Sequence, residues 1–65
     1  MKNYLLVAIY KSGELDVVLS STDPAYIVGT AKVIYIRNAV KIEVWETDQA
    51  PDTLTNAQTV YSRNL

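Results

Sequence analysis

Residues 23–38 read DPAYIVGTAKVIYIRN and form the most informative segment of the chain. It opens with a helix-start signal, because the side chain of Thr22 or Asp23 can accept the unpaired N–H groups of a first helical turn. Asp23 also complements the helix dipole, and Pro24 suits the first helical position. The sequence therefore predicts a helix that begins at this point.

The end of this helix is predicted near Ile36. Lys32 and Arg37 lie close to its negative end, and Asn38 is available for a left-handed cap. A competing interpretation takes residues 32–36 (KVIYI) as a strand, because β-branched residues crowd this stretch. The start signal favours the helix.

The predicted helix has almost no polar face. At about 100° per residue, one side carries Ile27, Val28, Ala31, Ile34 and Tyr35, and the other carries Ala25, Tyr26, Gly29, Val33 and Ile36. A helix that is apolar nearly all round is buried nearly all round. We expect Ile27, Ala31, Ile34 and Tyr35 to lie on the chain's own sheet. The predicted interface of a homodimer comprises Tyr26, Gly29, Val33 and Ile36.

Gly29 is the most informative residue of this predicted interface. Inside a helix, glycine costs about 1 kcal/mol relative to alanine, and its small size lets another backbone approach closely. The functional interpretation is a two-fold seam between two helices. The structural interpretation is that Gly29 fits under the sheet, or that the helix begins later.

The composition limits the function classes. A chain of 65 residues without cysteine makes one small domain that lacks disulfides, so association is its remaining route to stability. The absence of histidine removes the usual general base and the commonest transition-metal ligand. Six basic and seven acidic residues give a net charge of −1, which does not steer a protein toward nucleic acid. With no membrane-spanning stretch and no secretory signal, a cytoplasmic protein is expected.

A hairpin precedes the helix. Residues 3–11 and 15–20 have high strand propensity, and Gly13 between them can take the positive φ that a tight turn demands. With Ser12 and Gly13 as a two-residue turn, Tyr10 faces Leu15, Ala8 faces Val17, and Leu6 faces Leu19. The first strand is apolar on both faces, which is typical of a central strand.

A third strand is predicted over residues 39–47, where apolar and polar residues alternate. The predicted fold is α+β: a ββαβ domain over residues 1–48, with a three-stranded antiparallel sheet of order 2-1-3 and one helix on one face. Residues 49–65 are polar and are predicted to be a flexible or loosely docked tail.

No catalytic or cofactor motif stands out. The serines have no histidine to activate them, the glycines stand alone, and the acidic residues lack the spacing of a calcium loop. Glu43 and Glu46 point to opposite faces of a strand, while Asp16 and Glu43 could share one face, where Lys41 makes a surface ion pair. We expect neither enzymatic activity nor a metal or cofactor.

The candidate partner-binding residues are aromatic and acidic: Tyr4, Tyr10, Asp16, Glu43, Trp45 and Glu46. Exposed Tyr and Trp serve as interface anchors, and the acids would form a rim around them. The rings could instead pack against aliphatic neighbours. As a further alternative they could stack single-stranded bases, although only Lys2, Lys11 and Lys41 are available beside them.

The hairpin–helix–strand order over residues 3–48 resembles that of the small dimeric inhibitors of uracil-DNA glycosylase made by some Bacillus phages. The resemblance implies a dimer of three-stranded subunits that occupies the DNA-binding cleft of the enzyme. It is architectural and transfers no binding residue, and this chain is less acidic than that family. The sequence thus predicts a homodimer that binds a host protein, as a phage- or mobile-element-encoded enzyme inhibitor. The alternatives are a nucleic-acid-binding module and a structural assembly subunit.

Overall fold

A computed structural model describes residues 2–48 and 57–65, which form an antiparallel sheet with one helix. The elements in chain order are β1 (Asn3–Tyr10), β2 (Leu15–Ser21), α1 (Pro24–Val33), β3 (Ala39–Thr47) and β4 (Gln58–Asn64). The four strands lie in the order β2-β1-β3-β4. The α+β class and the predicted order of the first three strands are therefore confirmed.

The prediction of three strands was wrong, because part of the segment assigned to a tail forms β4. This strand pairs with β3 from Glu46↔Gln58 to Lys41↔Asn64, and Tyr61 packs against the core. Polar residues dominate β4 because it is an edge strand with little buried surface. Residues 49–56 of the predicted tail lie outside the described residues.

The helix starts where the sequence predicts. Asp23 is the N-cap, and its Oδ1 accepts hydrogen bonds from the N–H groups of Ala25 at 3.0 Å and Tyr26 at 3.3 Å. The Oγ of Ser21 accepts the N–H of Asp23 at 3.0 Å, which fixes the entry of the chain. Asp23, Pro24 and Ser21 thus define the first turn locally.

The helix ends at Val33, earlier than predicted. Ile34 is the C-cap with an extended backbone, and its N–H donates to the Thr30 carbonyl at 2.9 Å. Ile34 and Ile36 then pack against the core from outside the helix. Asn38 does adopt a positive φ of 72°, but in the turn before β3, where the Ala39 N–H donates to the Ile36 carbonyl. Residues 34–36 belong to no strand, so the competing interpretation was also wrong.

The register of the hairpin differs from the prediction in its first half. The Gly13 N–H donates to the Tyr10 carbonyl and the Tyr10 N–H donates to the Glu14 carbonyl, so the turn contains three residues and Gly13 has a φ of 92°. Val7 consequently pairs with Val17 and Ile9 with Leu15. A bulge at Val18 restores the predicted Leu6↔Leu19 pair. The extra turn residue shifts the register by one residue, and the bulge shifts it back.

The core lies between α1 and one face of the sheet. Its buried members are Leu6, Ala8, Ile27, Ala31, Ile42 and Val44. Ile27, Ala31 and Ile34 face the sheet as predicted, but Tyr35 does not, because the chain leaves the helix at Ile34 and the Tyr35 side chain is 74% exposed. Leu5 and Val7 are buried on the opposite face of β1, which confirms its central position. The homodimer through the helix stays a prediction.

Candidate protein-interaction surfaces

The first candidate surface is the outward side of α1, formed by Tyr26, Gly29 and Val33. These residues are spaced three and four apart and therefore lie on one helix face. Tyr26 is 55% exposed and Val33 is 81% exposed, and Gly29 between them is exposed as well. We call these three residues the outer helix face. Ile36, the fourth predicted interface residue, lies beyond the helix and packs against the core.

Gly29 is not required by packing within the chain. A Cβ atom built on it meets no atom within 4 Å, and its φ lies outside the left-handed range. Gly29 therefore does not fit under the sheet, and the helix already begins at Pro24. Both structural interpretations of this glycine were wrong, and its helical cost of about 1 kcal/mol is left without compensation inside the chain.

The orientation of the outer helix face depends on Arg63 in β4. Its guanidinium donates two hydrogen bonds to carbonyl groups at the end of α1, one to Ala31 and one to Ile34, the latter at 2.8 Å. These carbonyls belong to the last turn, whose C=O groups have no N–H partner within the helix. This contact was not predicted, although the Thr, Val and Tyr residues in TVYSR are typical of a strand.

The second candidate surface is the face of the sheet that points away from α1, which we call the open face. Among the described residues no helix or strand covers it. Its apolar half comprises Leu5, Val7, Ile9, Leu15 and Val17, and its polar half includes Lys41, Glu43, Trp45 and Thr59. Leu5 and Val7 at its centre are fully buried, whereas Leu15 is 49% and Val17 is 41% exposed. The accessible apolar surface of this face therefore lies at the β2 edge of the sheet.

Glu43 organises the polar half of the open face. Its Oε1 accepts a hydrogen bond from Trp45 Nε1 at 2.7 Å, and its Oε2 lies 3.2 Å from Lys41 Nζ. Thr59 Oγ1 lies 3.5 Å from the same Oε1 and links β4 to this group. Burial alone would raise the pKa of Glu43, but the hydrogen bonds from Trp45 and Lys41 and the charge of Lys41 outweigh it and lower the pKa.

Because of this cluster, we expect the unfolding free energy to decrease at acid pH. Because the pKa of Glu43 is lower when folded, its contribution is present above its ordinary value of 4.5 and is lost as the pH falls through the lowered pKa. We expect Glu43→Gln to reduce the unfolding free energy at neutral pH by about 1 kcal/mol, the worth of a partly screened charge-assisted hydrogen bond. Urea titrations between pH 3 and 7 measure this effect, with exposed Glu14→Gln as control. An equal decrease of the unfolding free energy at acid pH in Glu43→Gln and wild type would contradict this prediction.

A second ion pair lies on the helix side of the sheet. Lys2 Nζ contacts Glu46 Oε1 at 2.7 Å. This hydrogen bond lowers the pKa of Glu46, whereas burial and the negative charge of Glu46 raise the pKa of Tyr4. The pair is solvent-exposed on the lysine side, so it is a surface contact.

The structure divides the predicted partner-binding residues between two faces. Glu43 and Trp45 lie on the open face, opposite Val7 and Leu5. The helix side carries Tyr4, Tyr10, Asp16 and Glu46, and both of these tyrosines are partly buried against the core. Asp16 and Glu43 do not share a face, because Asp16 pairs with Ala8. The predicted rings and acids therefore do not form one joint surface, and the rings make no continuous stacking platform.

Metal-ligating side chains are not clustered in the described residues. No group of three or more metal-ligating side chains occurs among them. A shallow depression of about 370 Å³ at the hairpin turn is lined by Tyr10, Lys11, Ser12, Glu14 and Asn38, with a single carboxylate. None of the described helices is both long enough and apolar enough to cross a bilayer.

Comparison with known proteins gives no relative to reason from. No family model, no curated protein and no solved structure matches the chain.

Proposed function

We propose that this chain is a small homodimeric protein-binding module whose two copies pair through the outer helix face. The observation that carries the proposal is Gly29, a helical glycine with open space around it between two exposed apolar side chains. A second helix in close contact would compensate for the glycine, because the missing side chain lets the two backbones approach. The same contact would cover Tyr26 and Val33.

The proposal includes a target protein, bound by a surface that the helix pairing leaves free. The open face supports this part, because Leu15 and Val17 expose apolar surface at the sheet edge, and exposed apolar areas mark interaction sites. A phage- or mobile-element-encoded inhibitor of uracil-DNA glycosylase is its specific version, supported by the shared hairpin–helix–strand order. The fourth strand departs from that architecture. A uracil-excision assay with stoichiometric amounts of the chain tests this target.

Gly29→Ala should change the stability of the fold and the stability of the dimer in opposite directions. We expect the unfolding free energy of the dilute monomer to rise by about 0.5–1 kcal/mol, because alanine favours the helix and its Cβ meets no atom within 4 Å. We expect the dimer to dissociate at least tenfold more readily, since the Cβ separates the helices, a loss of about 1.4 kcal/mol. Sedimentation equilibrium and urea unfolding measure the two effects.

Gly13→Ala is the matched control. Its φ of 92° strains any side chain, so this variant should lose stability while its dimerisation is unchanged. A wild-type chain that is monomeric at 100 µM, or a Gly29→Ala dimer as tight as wild type, would contradict the proposed pairing.

A further inference from the structure

β2 forms one edge of the described sheet, and its residues 15–17, which precede the bulge at Val18, carry neither lysine nor proline. Edge strands commonly carry lysine or proline, which discourage pairing with other chains, yet β2 reads LDVVLSS. Its residues Leu15, Asp16 and Val17 are all exposed. The opposite edge, β4, reads QTVYSRN and is more polar. The two edges of the sheet therefore differ in their capacity to accept another strand.

The backbone of β2 offers hydrogen bonds at this edge. The Tyr10 N–H donates to the Glu14 carbonyl at 2.9 Å, and hydrogen-bonded pairs recur at every second residue of an antiparallel ladder. Ala8 and Asp16 therefore form the next such pair, and Leu15 and Val17 direct their N–H and C=O groups away from β1. An added strand requires this arrangement of donors and acceptors.

We propose that residues 15–17 of β2 bind an extended segment of a different protein by strand addition. The segment has a lysine or arginine between two apolar residues. Its apolar residues would lie beside Leu15 and Val17 on the open face, and its cation would lie beside Asp16 on the helix side. In the described part of the chain the ion pairs are Lys2–Glu46 and Lys41–Glu43, so neither occupies Asp16.

In the register that pairs Leu15 with Val17, a second copy of β2 meets like charge at this edge. Because of the bulge at Val18, Leu15 and Val17 lie on the open face whereas Leu19 lies on the helix side. A two-fold pairing that keeps Leu15 opposite the second copy's Val17 sets the two Asp16 carboxylates directly opposite each other. Like charges in that position are destabilising. Charge complementarity therefore favours a basic partner segment over self-pairing.

The test uses a capped peptide TTVKVTT and its acidic counterpart TTVEVTT, followed by amide NMR of the full chain. We expect TTVKVTT to bind at least tenfold more tightly and to shift the amide signals of residues 15–17. Asp16→Lys should reverse this preference. Ser62→Lys on the β4 edge, also an exposed position, is the control and should leave both affinities unchanged. Circular dichroism confirms that each variant is folded.

Equal binding of the two peptides, no binding, or signal shifts at β4 in place of β2 would overturn the inference. Concentration-dependent shifts at residues 15–17 without peptide would show self-pairing and overturn it as well. The inference rests on the proposed function only in that the chain binds a protein. Sedimentation of the same samples separates the two: a monomer that binds TTVKVTT contradicts the helix-paired dimer alone, and a dimer that ignores it contradicts the strand addition alone.

Discussion

Ile27→Ala is expected to remove about 2–5 kcal/mol of unfolding free energy, the usual cost of deleting a large buried aliphatic side chain. Ile27 is the largest buried side chain of α1, and it packs in the cluster with Leu6 and Ile42. A domain of this size is typically stable by about 3–10 kcal/mol. The substitution should thus remove a large part of the unfolding free energy of the domain, and α1 should detach from the sheet.

Tyr35→Ala is the matched control for Ile27→Ala. It deletes a larger side chain, but Tyr35 is 74% exposed, so we expect a change within about 0.5 kcal/mol. Urea unfolding followed by circular dichroism measures both variants. Equal losses would mean that the two sides of the helical segment are assigned wrongly, and that Tyr35 packs on the sheet as its position on the helical wheel suggested.

Arg63→Met should give the second-largest loss, about 1–3 kcal/mol, because it removes two charge-assisted hydrogen bonds and leaves carbonyls of Ala31 and Ile34 unpaired. Methionine keeps most of the side-chain length, so the loss reports on the guanidinium. Hydrogen exchange should also quicken at the Ile34 amide, which donates to Thr30 at the helix end.

Two further variants define the role of Arg63. Arg63→Lys keeps the charge but not the planar pair of donors, so its stability should lie between wild type and Arg63→Met. Arg37→Met removes an exposed cation from the turn after the helix and should change stability by under about 0.5 kcal/mol. If Arg37→Met and Arg63→Met were equally destabilised, general charge near the helix end, and not the Arg63 contact, would explain the effect.

Features that depend on neighbouring residues were predictable from the sequence, whereas contacts between distant residues were not. The helix start depends on Asp23 and Pro24, which act within one turn, and it was predictable. At the helix end, Arg63 donates to a carbonyl 32 residues away, that of Ala31, and no local signal reports such a contact. Of the residues that marked the helix end in the sequence, Lys32 does lie in the last turn, whereas Arg37 and Asn38 lie beyond the helix.

Two small irregularities of the hairpin change the face of the sheet on which its apolar residues lie. Gly13 correctly indicated the turn, but the turn has three residues and the bulge at Val18 compensates further on. Leu15 and Val17 therefore lie on the open face, where the simple two-residue turn does not place them. The outer helix face was predictable because helical periodicity placed Tyr26, Gly29 and Val33 together. The partner-binding set was not, because its members come from strands whose pairing and faces depend on the whole sheet.

The strand order also has a consequence for the order in which the chain can fold. β1 is made first, yet its partner β3 lies beyond the helix, and the helix end is completed by a residue of β4. Only the hairpin is local, and on its own it exposes apolar residues on both faces. Contacts between distant parts of a chain slow its folding. We therefore expect stable structure to form late and cooperatively, once the C-terminal strand is available to close the sheet and the helix together.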